Sequence, residues 1–315
     1  MLVLYRSTRP RPQVLTTQVS SVASMSFSPD GHEVVLVGEN GDDSTRQPAA
    51  ELLNLDSPSA FEMLPTGQGQ RWSFDGSGRL REDKPGTKVL FLDPVSRDVK
   101  STLPPGFYGA AISSDGTRYA RISENKDAGP HHYSIEAGYL RGQIHVPQVT
   151  ADIALARPDD TEISFSPDGR YLAVKSGAGV NIWDTSTWAP QPLIHSNGAA
   201  GWDYWFHWSR DGRTLTAYGT LAKEPFNNYH WVYDVANARM LDHGSNDGQI
   251  LPPKAGDLTA LEDNGNCRID NYDADSAAIL NKINVGDEPR PMAITPDGQY
   301  LVVAGDWNLG VYPVK

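Results

Sequence analysis

Aromatic and histidine residues are concentrated in two short stretches of the sequence. Residues 201–208 read Gly-Trp-Asp-Tyr-Trp-Phe-His-Trp, and residues 226–231 read Phe-Asn-Asn-Tyr-His-Trp. Aromatic side chains can stack on a planar ligand or anchor a peptide, and carboxylate or imidazole groups can transfer protons. A role in filling the space between packed sheets is the alternative. For ligand binding we single out Trp202, Asp203, Tyr204, Tyr229 and His230, and for proton transfer Asp203, His207 and His230.

The segments around these stretches alternate apolar and polar residues, which predicts half-buried strands. The clearest example is residues 164–174, Ser-Phe-Ser-Pro-Asp-Gly-Arg-Tyr-Leu-Ala-Val. Its Pro and Gly supply the fixed φ and the positive φ that a tight turn between two strands requires. Copies of this turn, most of them degraded, recur along the chain near Asp30, Asp75, Asp115, Asp168, Asp211, Asp257 and Asp297.

The spacing of these turns predicts the fold class. A period of about 40–45 residues with several strands per repeat is typical of propeller blades. We therefore expect an all-β chain, a seven-bladed β-propeller of four-stranded antiparallel blades that forms a single domain over residues 1–315. An ordinary β-sandwich would not require such a regular recurrence. We expect an N-terminal strand, either residues 2–5 or residues 13–16, to pair with the last blade and so protect an open edge.

Two segments of the sequence resemble known propeller repeats. Ile182-Trp183-Asp184 is similar to the Trp-Asp signature of WD40 repeats, and residues 283–304 are similar to the YVTN repeat. The resemblance to this WD40/YVTN-like superfamily covers nearly the whole chain and implies the propeller fold. No repeat begins with the Gly-His dipeptide of a standard WD40 repeat, so the buried Asp-His-Ser-Trp network of that family is not carried over. These motifs specify a fold and leave the function open.

The long loops of the predicted propeller fall on one face. This top face lies opposite the Pro-Asp-Gly turns, and loops lengthened on one side of a rigid scaffold commonly carry binding sites. Neutral drift in surface loops is the alternative. The long loops are residues 39–50, 123–132, 149–160, 197–203, 220–229 and 244–256.

The mouth of the central channel would lie on the same face. When the inner strands are aligned on the turn aspartates, equivalent rim positions hold Gln68, Tyr108, Thr161, Tyr204 and Arg290, with Asp160 and Asp203 one residue earlier. Such a mouth could bind a polar small molecule or perform acid–base chemistry. Its polar residues could also simply hold channel water. Tyr108 and Arg290 complete the predicted ligand-binding set.

Other reactive residues give weaker signals. His131-His132 lacks a third ligand at metal-site spacing, and Cys267 lies in no nucleophile motif. Asp42-Asp43, with Glu39 and Asn40, leaves a Ca²⁺ or other divalent cation open, but the Asp-x-Asp-x-Asp-Gly pattern is absent. No metal site and no cofactor are predicted.

Composition narrows the function classes. The formal net charge of −12 argues against nucleic acid as a partner. No apolar run approaches the roughly 18 residues of a spanning helix, and the N-terminal residues do not resemble a signal peptide. We expect a soluble, cytoplasmic monomer without membrane contact. The single cysteine excludes an intramolecular disulfide.

These observations predict a binding scaffold that recognises a small molecule, a peptide or a protein partner at the top-face channel mouth. The alternative is a propeller enzyme with acid–base catalysis of the lactonase, lyase or cyclase kind at the same mouth. Propellers with such activities show that the architecture permits catalysis, but no motif of theirs is found here.

Overall fold

The computed structural model describes the chain as a set of antiparallel sheets, without any helix in the residues that it describes. Consequently, none of these residues forms a helix that is long and apolar enough to cross a membrane. The described residues are 13–41, 44–57, 61–107, 109–124, 132–141, 144–154, 162–176, 179–192, 194–195, 204–209, 211–220, 228–245, 250–254, 257–262, 268–273, 279–284, 292–295, 299–305 and 308–313.

Six sheets, called blades 1 to 6, are each formed by one continuous segment of chain, and a seventh, the terminal sheet, combines both ends. The terminal sheet contains β1 (Gln13–Thr16) together with the last three strands, given below. Blade 1 contains β2 (Ser21–Phe27), β3 (Glu33–Asn40), β4 (Gln47–Asn54) and β5 (Phe61–Met63). Blade 2 contains β6 (Arg71–Phe74), β7 (Leu80–Asp83), β8 (Val89–Leu92) and β9 (Val99–Leu103). Blade 3 contains β10 (Ala111–Ile112), β11 (Arg118–Glu124), β12 (His132–Arg141) and β13 (Ile144–Ala154).

The remaining sheets continue in chain order. Blade 4 contains β14 (Ile163–Phe165), β15 (Tyr171–Ser176), β16 (Gly179–Asp184), β17 (Ala189–Pro190) and β18 (Ile194–His195). Blade 5 contains β19 (Tyr204–Trp208), β20 (Thr214–Thr220), β21 (Asn228–Asp234) and β22 (Arg239–Ser245). Blade 6 contains β23 (Ile250–Lys254), β24 (Asp257–Glu262), β25 (Arg268–Asp273) and β26 (Ile279–Asn284). The terminal sheet is completed by β27 (Met292–Ile294), β28 (Tyr300–Gly305) and β29 (Asn308–Pro313).

This arrangement corrects the prediction of a seven-bladed propeller with uniform four-stranded blades. Only blades 1 to 6 are continuous meanders among the described residues, and blade 4 has five strands because β17 and β18 both pair with β16. The outer position of blade 4 is divided where the chain carries Pro190 and Pro192, which have no N–H to donate to a ladder.

The terminal sheet joins residues that are far apart in the sequence. β1 pairs antiparallel with β29, with Gln13 opposite Val311 and Thr16 opposite Asn308. Leu15 of β1 is buried in an apolar cluster with residues of blade 1 and of β28 and β29. Of the two candidate N-terminal strands, residues 13–16 therefore lie in this sheet, whereas residues 2–5 lie outside the described residues.

A serine organises the turn between the first and second strands of four blades. In blade 4 the Ser166 hydroxyl donates to Asp168 Oδ1 (2.6 Å) and accepts the N–H of Tyr171 (2.9 Å), while Gly169 has φ of +70°. The hydroxyl thus ties the carboxylate to the start of the second strand, and only the glycine has to adopt the left-handed conformation. The same contacts occur at Ser28, Ser113 and Ser209.

Replacing Ser166 by alanine should lower the free energy of unfolding by about 1–3 kcal/mol, because the buried N–H of Tyr171 would lose its acceptor. Urea denaturation of purified protein measures this change. The matched control is Ser186→Ala, in an exposed hairpin, for which we expect a change within about 0.5 kcal/mol. Equal effects of the two substitutions would contradict the role assigned to the serine.

Blade 2 builds the same turn with one residue fewer. Asp75 N donates to Arg79 O (2.9 Å), as Ser166 N donates to Tyr171 O (2.8 Å), so Asp75 occupies the position of the serine. The aspartate of the other turns therefore corresponds to Ser77, two residues further on. This shift changes which residues of blade 2 reach the top face, as described below.

Apolar side chains of adjacent blades pack against each other and form the core. Between blades 4 and 5, Tyr171 and Ala173 contact a cluster that includes Phe206 and Trp208. Between blades 2 and 3, apolar residues of both blades surround Phe107, which is 1% exposed. Blades 1 to 4 bury apolar side chains on both faces in this way, which fixes the relative position of the polar residues at the blade ends.

Candidate functional site

The bottom face, which carries the serine turns, is occupied by contacts between neighbouring blades. Ser114 Oγ of blade 3 donates to the carbonyl of Pro167 in blade 4 (2.8 Å). A Cβ atom on Gly212 of blade 5 would lie 2.8 Å from Asp168 Oδ1, so this turn requires glycine for close approach as well. Because these turns touch one another, we place the candidate site at the opposite, top end of the blades.

A glutamate and a lysine face each other at the top end of blade 4. Glu162 directly precedes β14, and its carbonyl accepts the N–H of Lys175 in β15 (2.9 Å). The two residues are cross-strand neighbours, and Lys175 is only 6% exposed. Glu162 Oε2 also accepts the backbone N–H of Phe206 in β19 (2.9 Å). The carboxylate therefore joins the inner strands of blades 4 and 5.

The environment of Glu162 suits a proton-transfer group. Burial of the carboxyl group raises its pKa to about 7, although the N–H of Phe206 and the charge of Lys175 act in the opposite direction. A carboxyl group that titrates near neutral pH can both donate and accept a proton under physiological conditions. Ser176 and Asn181 lie on the same end of the blade, where Asn181 Nδ2 donates to Ser176 Oγ (2.9 Å).

The raised pKa of Glu162 predicts a pH dependence of stability. Between pH 4.5, the ordinary pKa of a glutamate, and about pH 7, the folded state retains a proton on Glu162 that the unfolded chain has released. The free energy of unfolding contributed by this group therefore falls as the pH rises through that window. The wild type should lose up to about 3 kcal/mol relative to Glu162→Gln between pH 5 and pH 7.5.

Urea titrations of both proteins at the two pH values measure this difference. The control is Gln148→Ala, which changes an exposed side chain that does not titrate and should leave the pH slope unchanged. The same slope in the wild type and in Glu162→Gln would contradict the assignment.

Three residues of the sequence-predicted site lie close together in blade 5. A row here means the residues that lie opposite one another on adjacent strands. Tyr204 lies opposite Gly219, which lies opposite Tyr229, so these two tyrosines share one row. His230 belongs to the adjacent row, opposite Tyr218. His207 lies opposite Thr216, three residues along β19 from Tyr204 and closer to the bottom turn. The backbone thus brings Tyr204, Tyr229 and His230 to the top end of the blade.

The other predicted site residues lie outside the described part of the chain. They are Tyr108, Trp202, Asp203 and Arg290, and the same holds for Asp160, Thr161, Asp42, Asp43, His131 and Cys267. Within the described residues, no three His, Cys, Asp or Glu side chains are grouped so that they could hold a metal ion.

The rim residue predicted for blade 2 requires correction. Because Asp75 takes the serine position, the residue equivalent to Thr161 is Gln70 and not Gln68. Gln70 Nε2 donates to Glu82 Oε1 (2.7 Å). The next residue, Arg71, occupies the position that Glu162 has in blade 4, and it lies opposite Asp83 as Glu162 lies opposite Lys175. Blades 2 and 4 thus each carry one acidic and one basic residue at the same register position, but the inner strand holds the arginine in blade 2 and the glutamate in blade 4.

Blade 2 adds a second, buried arginine to this end. Arg81 Nη2 lies 2.9 Å from Asp83 Oδ2 and 3.1 Å from Oδ1, and the two residues are 8% and 5% exposed. Burial raises the pKa of the Asp83 carboxyl group above its usual value, although Arg81 and Arg71 oppose this shift. The pair lies on the face of blade 2 that is turned toward blade 3, since Arg81 stands 6.0 Å from the ring centre of Phe91 in that interface.

Sequence reasoning missed Glu162, Lys175, Arg71 and Arg81. One signal was present in the aligned inner strands: the position of Glu162 holds Ser24 in blade 1, Gly109 in blade 3 and Trp205 in blade 5, none of which is charged. A charged residue where these copies of a repeat have uncharged ones indicates a local function of that position. The same signal at Arg71 was hidden, because Asp75 occupies the serine position and an alignment on the aspartates shifts the inner strand of blade 2 by two residues.

Comparisons with known proteins bear on the fold. The sequence matches no protein-family model and no curated protein. Among solved structures, a chain in the crystal structure of the mitotic checkpoint complex is similar, with a TM-score of 0.67 and 15% identity over 99% of this chain and 98% of that chain. A chain of hydrazine synthase from Kuenenia stuttgartiensis is similar with a TM-score of 0.64 and 15% identity, over 95% and 97% of the two chains.

At this level of identity the likeness shows the fold alone. The strand arrangement and the two structural neighbours agree that the chain has an all-β β-propeller fold. What a scaffold of this class binds depends on the residues at its surface. The function is therefore argued from the top face.

Proposed function

We propose that the protein is a binding scaffold whose top face receives a peptide segment of a protein partner, centred on the junction of blades 4 and 5. The observation that carries this proposal is the Glu162–Lys175 pair, which stands at the top end of blade 4 and is bonded to the inner strand of blade 5. A charged pair beside a row of tyrosines offers both polar and aromatic contacts to a peptide.

Two further observations support a peptide or protein over a small molecule. The bottom face is occupied by turns that contact one another, whereas the long loops of the sequence were assigned to the top face. One structural neighbour is part of a multi-protein assembly, the mitotic checkpoint complex. In this proposal Trp202, Tyr204, Tyr229 and His230 anchor the partner, while Tyr108, Asp203 and Arg290 surround them.

Site-specific photo-crosslinking in cells tests the proposal. A benzophenone amino acid in place of Tyr229 should capture a recurrent partner, and adding the double substitution Tyr204→Ala, His230→Ala to the same protein should abolish that capture while the protein folds normally. The matched control carries the same photo-reactive residue in place of His32, an exposed side chain beside a bottom turn. Equal capture from both positions, or capture that the double variant retains, would refute the proposal.

A second candidate function is acid–base catalysis at the same mouth, and the raised pKa of Glu162 specifically favours it. In that case Asp203 and His230 are the further candidates for proton transfer, whereas His207 lies closer to the bottom turn. A panel of lactones and of substrates for β-elimination tests this function. Catalysis at the mouth predicts turnover with a rate-controlling pKa near 7 that Glu162→Gln abolishes, whereas a binding scaffold shows no turnover.

A further inference from the structure

The junction of blades 2 and 3 gathers more positive than negative charge. Arg71, Arg81 and Asp83 come from the face of blade 2 that is turned toward blade 3, and Arg121 and Glu136 come from the opposing face of blade 3. We call these five residues the arginine junction. Arg121 Nε and Nη2 each lie 3.0 Å from Glu136 Oε1, which also accepts the Tyr119 hydroxyl (2.8 Å). Three guanidinium groups thus face two carboxylates in a chain whose formal net charge is −12.

One guanidinium of the arginine junction is incompletely satisfied. Arg81 is 8% exposed, and its Nε has no hydrogen-bond acceptor among the described residues, although its Nη2 contacts Asp83. Arginine stays charged in proteins, so a buried N–H of this group without an acceptor is costly. The free Nε therefore marks a position where an acceptor from outside the chain would be stabilised.

A glycine-containing loop connects the arginines of the two blades. Its described residues, 104–107 and 109–110, lie between β9 and β10 and include Gly106 and Gly109, with φ of +96° and +67°. Arg121 lies 4.9 Å from the ring centre of Phe107 in this loop. A Cβ atom on Gly106 would be 3.5 Å from Arg121 Nη1, and one on Gly109 would be 3.9 Å from Arg71 Nη1. The loop thus lies against arginines of both blades.

We propose that the arginine junction binds an oxyanion, the carboxylate or phosphate group of a ligand, through Arg81 and Arg71. Arginine presents planar, paired donors that match such groups, and charge-assisted bonds of this kind are the stronger ones. Arg71 is exposed and gives the anion access, while Arg81 is held in place by Asp83. The position equivalent to Arg71 in blade 4 carries Glu162, so the two positions differ in the sign of their charge. This inference does not depend on the proposed function.

Nuclear magnetic resonance of protein with ¹⁵N-labelled arginine tests the site directly. Inorganic phosphate and succinate are added separately to the full chain, and sodium chloride keeps the ionic strength constant. We expect saturable movement of the Arg81 Nε–H signal with at least one of the two anions. Phosphate alone indicates a phosphorylated ligand, and succinate alone indicates a carboxylate ligand.

Arg71→Gln should weaken the binding about tenfold, which corresponds to the loss of one charge-assisted contact. Arg213→Gln, which removes an exposed arginine beside a bottom turn, is the matched control for net charge and should bind as the wild type does. Circular dichroism confirms that both variants are folded. The proposal is overturned if neither anion moves the Arg81 signal, or if Arg213→Gln weakens binding as much as Arg71→Gln does.

Discussion

Replacing Asp83 by asparagine is expected to lower the free energy of unfolding by about 3–5 kcal/mol. The substitution removes the charge that neutralises Arg81, and both side chains are buried between blades 2 and 3. Arg81 cannot lose its proton at any accessible pH, so the folded state would hold an uncompensated positive charge. Urea denaturation of the variant at pH 7 measures the effect.

A paired substitution distinguishes an unpaired charge from lost packing. If the unpaired guanidinium is the cause, Arg81→Met in the Asp83→Leu background should recover most of the stability, because an apolar pair of similar volume replaces the ion pair.

We also expect Lys175→Met to cost less than Asp83→Asn at pH 6. The carboxyl group left behind, Glu162, can take up a proton, which Arg81 cannot release. A cost below about 1 kcal/mol for Asp83→Asn would contradict this account.

Replacing Trp208 by alanine is expected to cost about 3–5 kcal/mol. Trp208 is 9% exposed, stacks on Tyr171 with a centroid distance of 6.3 Å and belongs to the cluster between blades 4 and 5. Its Nε1 also donates to Ser164 Oγ (3.1 Å). The substitution would open a cavity between two blades that pack rigidly, so little of the lost contact could be recovered.

Trp208→Phe is the matched control for this prediction. Phenylalanine keeps an aromatic ring against Tyr171 but loses the hydrogen bond to Ser164, so the cost should fall to about 1–2 kcal/mol. Thermal and urea denaturation of both variants measure the difference. An alanine variant that is no less stable than the phenylalanine variant would show that the ring does not contribute to the interface.

The fold class could be predicted because its signals are local. A serine, an aspartate and a glycine at fixed spacing produce the turn that the hydrogen bonds of Ser166 explain, and the alternation on each side produces the strands. The departures from a uniform repeat could not be predicted in this way. The division of the outer strand of blade 4 depends on contacts that no local pattern encodes. For the strand that pairs with β29, the sequence offered two N-terminal candidates and no local signal that selects β1.

The candidate site could be predicted only where its residue types are unusual in themselves. Tyr204, Tyr229 and His230 are conspicuous in sequence, and the backbone brings them to one end of blade 5. Glu162 and Lys175 look like ordinary solvent-facing charges of two strands, because their burial is created by the neighbouring blade. Arg71 was not recognised as a top-end residue, because Asp75 takes the serine position of its turn. The alignment on the aspartates therefore shifted the inner strand of blade 2 by two positions.

The pairing of β1 with β29 determines how the molecule responds to mechanical force. Gln13 and Val311 lie at the same end of this ladder, so tension applied at residues 13 and 313 acts on one pair of residues at a time. A ladder loaded in this direction opens like a zipper and yields at lower force than one that is sheared along its length. Stretching the chain from its two ends would thus detach β1 first and leave blades 1 to 6 to unfold afterwards.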